Sequence, residues 1–167
     1  TIDGENAIIE SVMLGLNENK KTKLICELFC GSGTITLPLL QKPYQIHAFE
    51  LDKESLKSLD IATRKESFGN RVKTKVRDLK NFPLTSDELS KYDAIIVDPP
   101  RSGAKLQFLN IARSNVSIIV SISCNVNTFV RDAKILIESN YELKWVQPID
   151  QFLFSAHVEL VAIFQLK

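Results

Sequence analysis

No apolar run in the 167 residues approaches the ~20 needed to cross a bilayer, and Thr1 opens no signal-peptide pattern. Neither a membrane span nor a secretory leader is expected, which makes the cytoplasm the default setting. An excess of one charge is also lacking, since 21 Lys+Arg face 20 Asp+Glu and the formal net charge is +1. A free-standing nucleic-acid binder ordinarily carries a strong basic excess, because phosphate neutralisation supplies most of its affinity. If RNA is the substrate, an RNA-binding domain or partner has to supply much of the grip. Cysteine is sparse and odd in number: Cys26, Cys30 and Cys124 do not make a disulfide framework. Neither His47 nor His157 stands at ligand spacing from Cys26 and Cys30, so no metal site is expected. Internal repeats and low-complexity tracts are missing too. What remains is ordinary for a single domain over residues 1–167: 44% hydrophobic and 25% charged residues.

Hydrophobic periodicity predicts helices over residues 6–16, 34–40, 53–68, 106–114 and 128–139. Between them, residues 24–29, 45–49, 71–76, 92–97 and 116–123 read as strands, and 142–147 and 158–165 as two closing strands. Such alternation predicts an α/β fold, a doubly wound Rossmann-like sheet that is mostly parallel with an antiparallel C-terminal strand. In the third strand Arg71, Lys73, Lys75 and Arg77 share one parity. That is a basic strip for RNA or an edge strand guarded by charge, and the second reading is preferred.

In an open α/β sheet, ligands bind at the carboxyl ends of the strands. There the first strand runs into Phe29-Cys30-Gly31-Ser32-Gly33-Thr34, whose glycines let the backbone approach a ligand and whose helix start leaves N–H groups free. Glu50 ends the next strand, placed as a carboxylate that takes ribose hydroxyls. The turn has two glycines instead of the dinucleotide fingerprint's three, and it lacks a phosphate-loop lysine. S-adenosylmethionine fits this pattern better than NAD or ATP. A plain turn beside an exposed acid is the structural alternative.

Asp98-Pro99-Pro100-Arg101-Ser102-Gly103 follows the fourth strand, and two prolines stiffen a loop that holds Asp98 at the rim. A proline turn alone does not explain an acid, an arginine and a glycine in so short a loop. Cys124 ends the next strand between Ser123 and Asn125, just ahead of a helix. A lone cysteine is more often a buried packing residue, but this position is expected to favour the thiolate and a nucleophile. If the last strand is antiparallel, Glu159 at its start faces Cys124. By itself Glu159 reads as a surface acid.

Taken together these segments resemble the RNA uracil-5-methyltransferase family in its bacterial ribosomal- and transfer-RNA branches. The matching stretches are residues 28–33, residues 98–103, Ser123-Cys124-Asn125 with Thr128, and Phe152 through Glu159, in the family's order and spanning nearly the whole chain. The resemblance implies Cys124 as nucleophile and Glu159 as base. It implies cofactor contacts from Phe29, Gly31, Gly33, Thr34, Glu50, Asp78 and Asp98, with Arg101 and Asn125 toward the substrate. Val126 and Leu153 stand where the family usually has proline. The family's RNA-binding barrel, central domain and upstream glutamine motif have no counterpart in these residues.

The implied reaction is methylation of C5 of a uridine in RNA, with ribosomal RNA placed ahead of transfer RNA. A thiolate adding at C6 makes C5 nucleophilic, and a base within hydrogen-bond reach then removes the C5 proton. Two other readings stay open. An amino-group methyltransferase would use the Asp-Pro-Pro loop and need neither Cys124 nor Glu159, and a cofactor-binding module would be inactive without its RNA-binding domains.

Overall fold

The computed structural model describes residues 1–150 and 158–167. A helix α1 (Ile2–Asn17) leads into β1 (Leu24–Leu28), α2 (Thr36–Leu39), β2 (Gln45–Glu50), α3 (Lys53–Lys65) and β3 (Val72–Val76). Next come α4 (Ser86–Leu89), β4 (Ala94–Val97), α5 (Lys105–Ile111), β5 (Ile118–Ser123), α6 (Val126–Ile137), β6 (Tyr141–Ile149) and β7 (Glu159–Leu166). The strands form one seven-stranded sheet in the order β3-β2-β1-β4-β5-β7-β6. Strands β1 to β5 pair in parallel, and β7 enters antiparallel between β5 and β6. The expected α/β sheet is therefore present, with antiparallel pairing on both sides of β7.

Each face of the sheet buries its own core. On one side α1, α2 and α3 pack Val12, Leu16, Leu39, Leu56 and Leu59 over Ile25, Ile46, Ala48, Val120 and Ile163. On the other, Leu89, Phe108, Ile111, Ala133 and Leu136 cover Cys26, Ile95, Val97, Ile119 and Phe164. The alternate residues of β1 thus go to opposite cores, as the period of a two-sided buried strand demands. Gly15 lets α1 lie close to the sheet, since a Cβ there would collide with Ile163.

Several elements differ from the periodicity. Helix α3 stops at Lys65 because Ser67 turns left-handed at φ 62° and the Phe68 N–H goes back to the Thr63 carbonyl. Helix α6 begins at Val126, two residues before the expected start, because the Asn125 side chain accepts from the N–H groups of Asn127 and Thr128. The crossover from β3 to β4 carries only the one-turn α4, capped by Thr85 and Glu88 in a reciprocal box. Strand β3 lies at the sheet edge, as the charge-guarded reading expects.

Candidate active site

The five parallel strands end at one rim, and the loops that leave it carry most of the residues singled out by sequence. After β1 the chain bends sharply. Phe29 sits at φ 63°, uncommon for a bulky side chain, and its N–H and that of Cys30 both reach the Phe49 carbonyl, at 2.9 and 3.2 Å. Gly31 and Gly33 come next, at φ 53° and 93°. A Cβ at Gly31 would meet nothing within 4 Å, whereas Gly33 is packed against Leu59. The turn is therefore open toward the rim at Gly31 and closed toward the core at Gly33.

Two of the glycine turn's N–H groups are taken up within the chain, while those of Ser32, Thr34 and Ile35 have no hydrogen-bond partner among the described residues. Helix α2 starts only at Thr36, the Gly33 N–H is taken by the Cys30 carbonyl, and the Gly31 N–H donates to Glu50 Oε2 at 3.1 Å. Glu50 Oε1 also accepts from the N–H groups of Leu51 and Asp52, at 2.7 and 3.0 Å. These bonds fix the carboxylate beside the glycine turn. Asp78 is half-buried after β3, and its side chain accepts from the Asn81 backbone and amide, which holds it below the usual carboxylate range.

Two cavities flank the turn. One, of ≈ 360 Å³, is mostly apolar and lies among Phe29, Leu79, Asn81, Pro100 and Leu106. The other, of ≈ 320 Å³, is lined by Thr34, Asp98, Ile122, Cys124 and Glu159, with Glu5, Ile8 and Ile9 of α1 closing one side. Both are in the size range of small-ligand sites. A glycine with open space above it, a fixed carboxylate and an adjacent apolar cavity are what an adenosine-and-amino-acid ligand requires. The residues present fit such a group.

The register of β5 and β7 explains how Cys124 and Glu159 come to share a cavity. Ser123 pairs with Leu160 in the antiparallel ladder, so the next residues outward on the two strands are Cys124 and Glu159. Asp98 joins them from the end of β4, half-buried, its N–H bonded to the Leu28 carbonyl. Burial, reinforced by the charge of Glu159, pushes the Asp98 carboxyl up to about 7. The Cys124 thiol is also raised, first by burial and next by Glu159, with Arg101 pulling the other way. This corrects the expectation that the strand end favours the thiolate. Asn125, not Cys124, caps α6, and a carboxylate faces the sulfur.

Arg101 and Asn125 are drawn into the loop architecture. The Arg101 carbonyl accepts from Asn125 Nδ2 and from Thr128 Oγ1, at 3.3 and 3.2 Å. Buried Asp132 accepts from the Ala104 N–H, and Arg131 donates to the Ser102 carbonyl. The first turns of α6 thus hold the loop of residues 98–103 against the rim. The Asn125 side chain serves this bracing and the helix cap.

Sequence reasoning overlooked Glu27 and the α1 side chains. Glu27 is 1% exposed inside β1, accepts from Thr36 Oγ1 at 2.7 Å, and is raised to about 8 by burial, the Thr36 bond opposing the shift. The one visible signal was a lone charge within an apolar strand. Glu5, Ile8 and Ile9 read as an ordinary amphipathic helix. The expected motif residues Phe152, Leu153, Ser155, Ala156 and His157 lie outside the described residues. Among the described residues no group of acids, histidines and cysteines could hold a metal ion, and no helix is long and apolar enough to cross a membrane.

Comparison with known proteins adds a second line. The family described as tRNA (uracil-5-)-methyltransferase matches residues 5–166. An uncharacterised RNA methyltransferase of Agrobacterium fabrum is 42% identical over 165 residues, which is 99% of this chain and 39% of that protein. One from Mesorhizobium japonicum is 44% identical over 144 residues, 86% of this chain and 35% of its own. The chain therefore spans well under half the length of these relatives. The structure of the Pyrococcus abyssi tRNA (uracil-54, C5)-methyltransferase in complex with S-adenosyl-L-homocysteine is similar at TM-score 0.77 and 25% identity, over 96% of this chain and 38% of that one. Geranyl diphosphate C-methyltransferase from Streptomyces coelicolor, at TM-score 0.76 and 11% identity over 98% of this chain and 79% of that one, shares the fold alone.

Proposed function

The chain belongs to the tRNA (uracil-5-)-methyltransferase family, and from that membership we propose that it is the catalytic domain of an enzyme that methylates C5 of a uridine in RNA. The observation that carries the reading is the meeting of Cys124, Glu159 and Asp98 in one cavity beside the glycine turn. The cofactor is S-adenosylmethionine, held by the turn of residues 29–34, Glu50 and the apolar cavity at Phe29. When bound, it supplies an electrophilic methyl group.

Cys124 is the nucleophile. Its thiol releases its proton to solvent, and the thiolate adds to C6 of the uracil, opening the C5–C6 double bond so that the electron pair on C5 can take the methyl group. Glu159 then removes the C5 proton, and the electrons left behind expel the Cys124 sulfur and restore the ring. Asp98 orients the base edge and sets the charge around Glu159. The stiff loop of residues 98–103, braced by Asn125 and Arg131, holds Asp98 and Arg101 while this occurs.

The setting is the cytoplasm, where thiols stay reduced, and further RNA-binding segments of the longer protein hold the substrate. Ribosomal RNA is put ahead of transfer RNA on the sequence resemblance, and both are to be offered in the assay. In a full-length protein, Cys124→Ala is expected to abolish methylation and covalent attachment together. Glu159→Gln is expected to trap a covalent protein–RNA species, seen as a slower band on a denaturing gel with labelled RNA and cofactor. An amino-group methyltransferase gives no such band and retains activity without Cys124. That outcome refutes the uracil-C5 reading.

A further inference from the structure

The shortened crossover between β3 and β4 leaves part of the sheet uncovered. On the face that carries His47 and Phe49 of β2, the cover toward the edge among the described residues is α4 and the loops around it. A cavity of ≈ 220 Å³ opens there, and none of the residues given cofactor or catalytic roles above lines it. Lys73 and Lys75 of β3 enter it beside His47 and Phe49, their ladder partners, and Lys91 enters from the segment before β4. All three lysines are exposed.

The neighbouring charges are already engaged. Arg71 donates to the carbonyls of Leu40 and Lys42, and Arg77 to those of Phe82 and Pro83. Glu88, on the lip, lies 3.4 Å from Arg77 and accepts from the Thr85 N–H. Among the described residues, none of the three lysines has a carboxylate within the 4.0 Å of an ion pair. Lys91 instead stands 5.2 Å from the Tyr92 ring, whose hydroxyl lies 3.0 Å from His47 Nδ1. The positive field is felt locally, since burial first and then Lys73 and Lys91 hold His47 below its usual range.

Edge protection explains Lys73 and Lys75, but it does not call for a third ammonium from another element, or for a cavity between them. We propose that this lysine-lined cavity binds the phosphodiester backbone of the substrate RNA, at a distance from the reacting uridine. The inference rests on the RNA-methylation reading. The cavity is small for a nucleotide-sized ligand, whose sites start at roughly 300 Å³, but suits a phosphate with its flanking sugar. Strand β3 lies four strand spacings from β5, about 19 Å in all, a span that a bound RNA strand covers easily and a mononucleotide does not. It also gives a nearly neutral chain one place where its positive charge is concentrated.

The test measures RNA binding by the 167-residue chain, using fluorescence anisotropy of a labelled uridine-containing stem-loop across a salt series. Lys73→Gln, Lys75→Gln and Lys91→Gln together are expected to weaken binding by roughly tenfold or more at low salt, and to reduce the slope of log affinity on log salt by about 2. A control triple on the opposite face of the sheet, Lys53→Gln, Lys57→Gln and Lys65→Gln, changes net charge equally and should leave most of the affinity and slope. Unaltered binding of S-adenosylhomocysteine in calorimetry shows that each variant is folded. Equal losses from both triples, no loss from the first, or no RNA binding by the unmodified chain at low salt each overturns the proposal. Failure of the uracil-C5 reading would appear in the covalent trap instead, with the salt slopes unaffected.

Discussion

Cys124 stands under opposing demands. To attack C6 it must give up its proton, yet burial and the facing carboxylate of Glu159 both hold that proton on, with Arg101 favouring release. Removing the Glu159 charge should therefore lower the thiol's pKa even as it removes the base. Glu159→Gln is expected to move the pH–rate profile of Cys124 alkylation by iodoacetamide toward lower pH, read by mass spectrometry of the peptide. Arg101→Gln should move it the other way. Cys26 and Cys30, both buried, serve as slow internal references. A midpoint that does not move, or rises, in Glu159→Gln would show that burial alone sets the thiol.

Among the elements, α1 has the tightest constraint. Gly15 has no steric room for a Cβ against Ile163, which is itself fully buried. Alanine would gain up to about 1 kcal/mol in helix propensity, while overpacking a closed contact costs about 1–3 kcal/mol. Gly15→Ala is thus expected to destabilise by a net ~1 kcal/mol, read as a lower urea midpoint. An unchanged or raised midpoint would show that α1 can lift from the sheet without cost. The contrast between this contact and the rim shows what the sequence could disclose. Strand ends were legible from apolar runs, β-branched in β4 and β5, broken by Gly31, Glu50, Asp98 and Cys124, because a parallel strand buried on both faces is written in its own residues. The start of α6 was open to the same reading, since Asn125 three residues ahead of Thr128 is a capping pattern. The partner of Glu27, the N–H donors to Glu50 and the raised thiol depend on neighbours distant in sequence, and no local period encodes them.

For the molecule as a whole, the buried Glu27 links stability to pH. It keeps its proton up to about 8 when folded, against an ordinary 4.5. Between those values the folded chain binds a proton that the unfolded chain has lost, so stability is fully present below 4.5 and declines as pH rises through the interval. Asp98, raised from 3.8 to about 7, acts in the same direction over a lower window. Glu27→Gln should flatten this decline, by up to about 1.4 kcal/mol per pH unit for one proton. Urea midpoints measured across the interval decide it, and an equally steep decline in the variant would place the linkage elsewhere.

The position of β7 also orders events in time. Strand β6 precedes it in sequence, yet among the described strands β6 has no hydrogen-bonded neighbour other than β7. During synthesis from the N-terminus, β1 to β5 can assemble as soon as they emerge, while β6 must wait at the margin with its pairing groups in water. Only when β7 slides between β5 and β6 does the sheet reach its final width. The same insertion carries Glu159 to Cys124. A nascent chain can thus possess the glycine turn and the cysteine long before it possesses the base. The pairing that brings Glu159 to Cys124 is thus the one contributed latest in chain order among the described strands, and a chain cut before β7 is expected to lack the proposed base.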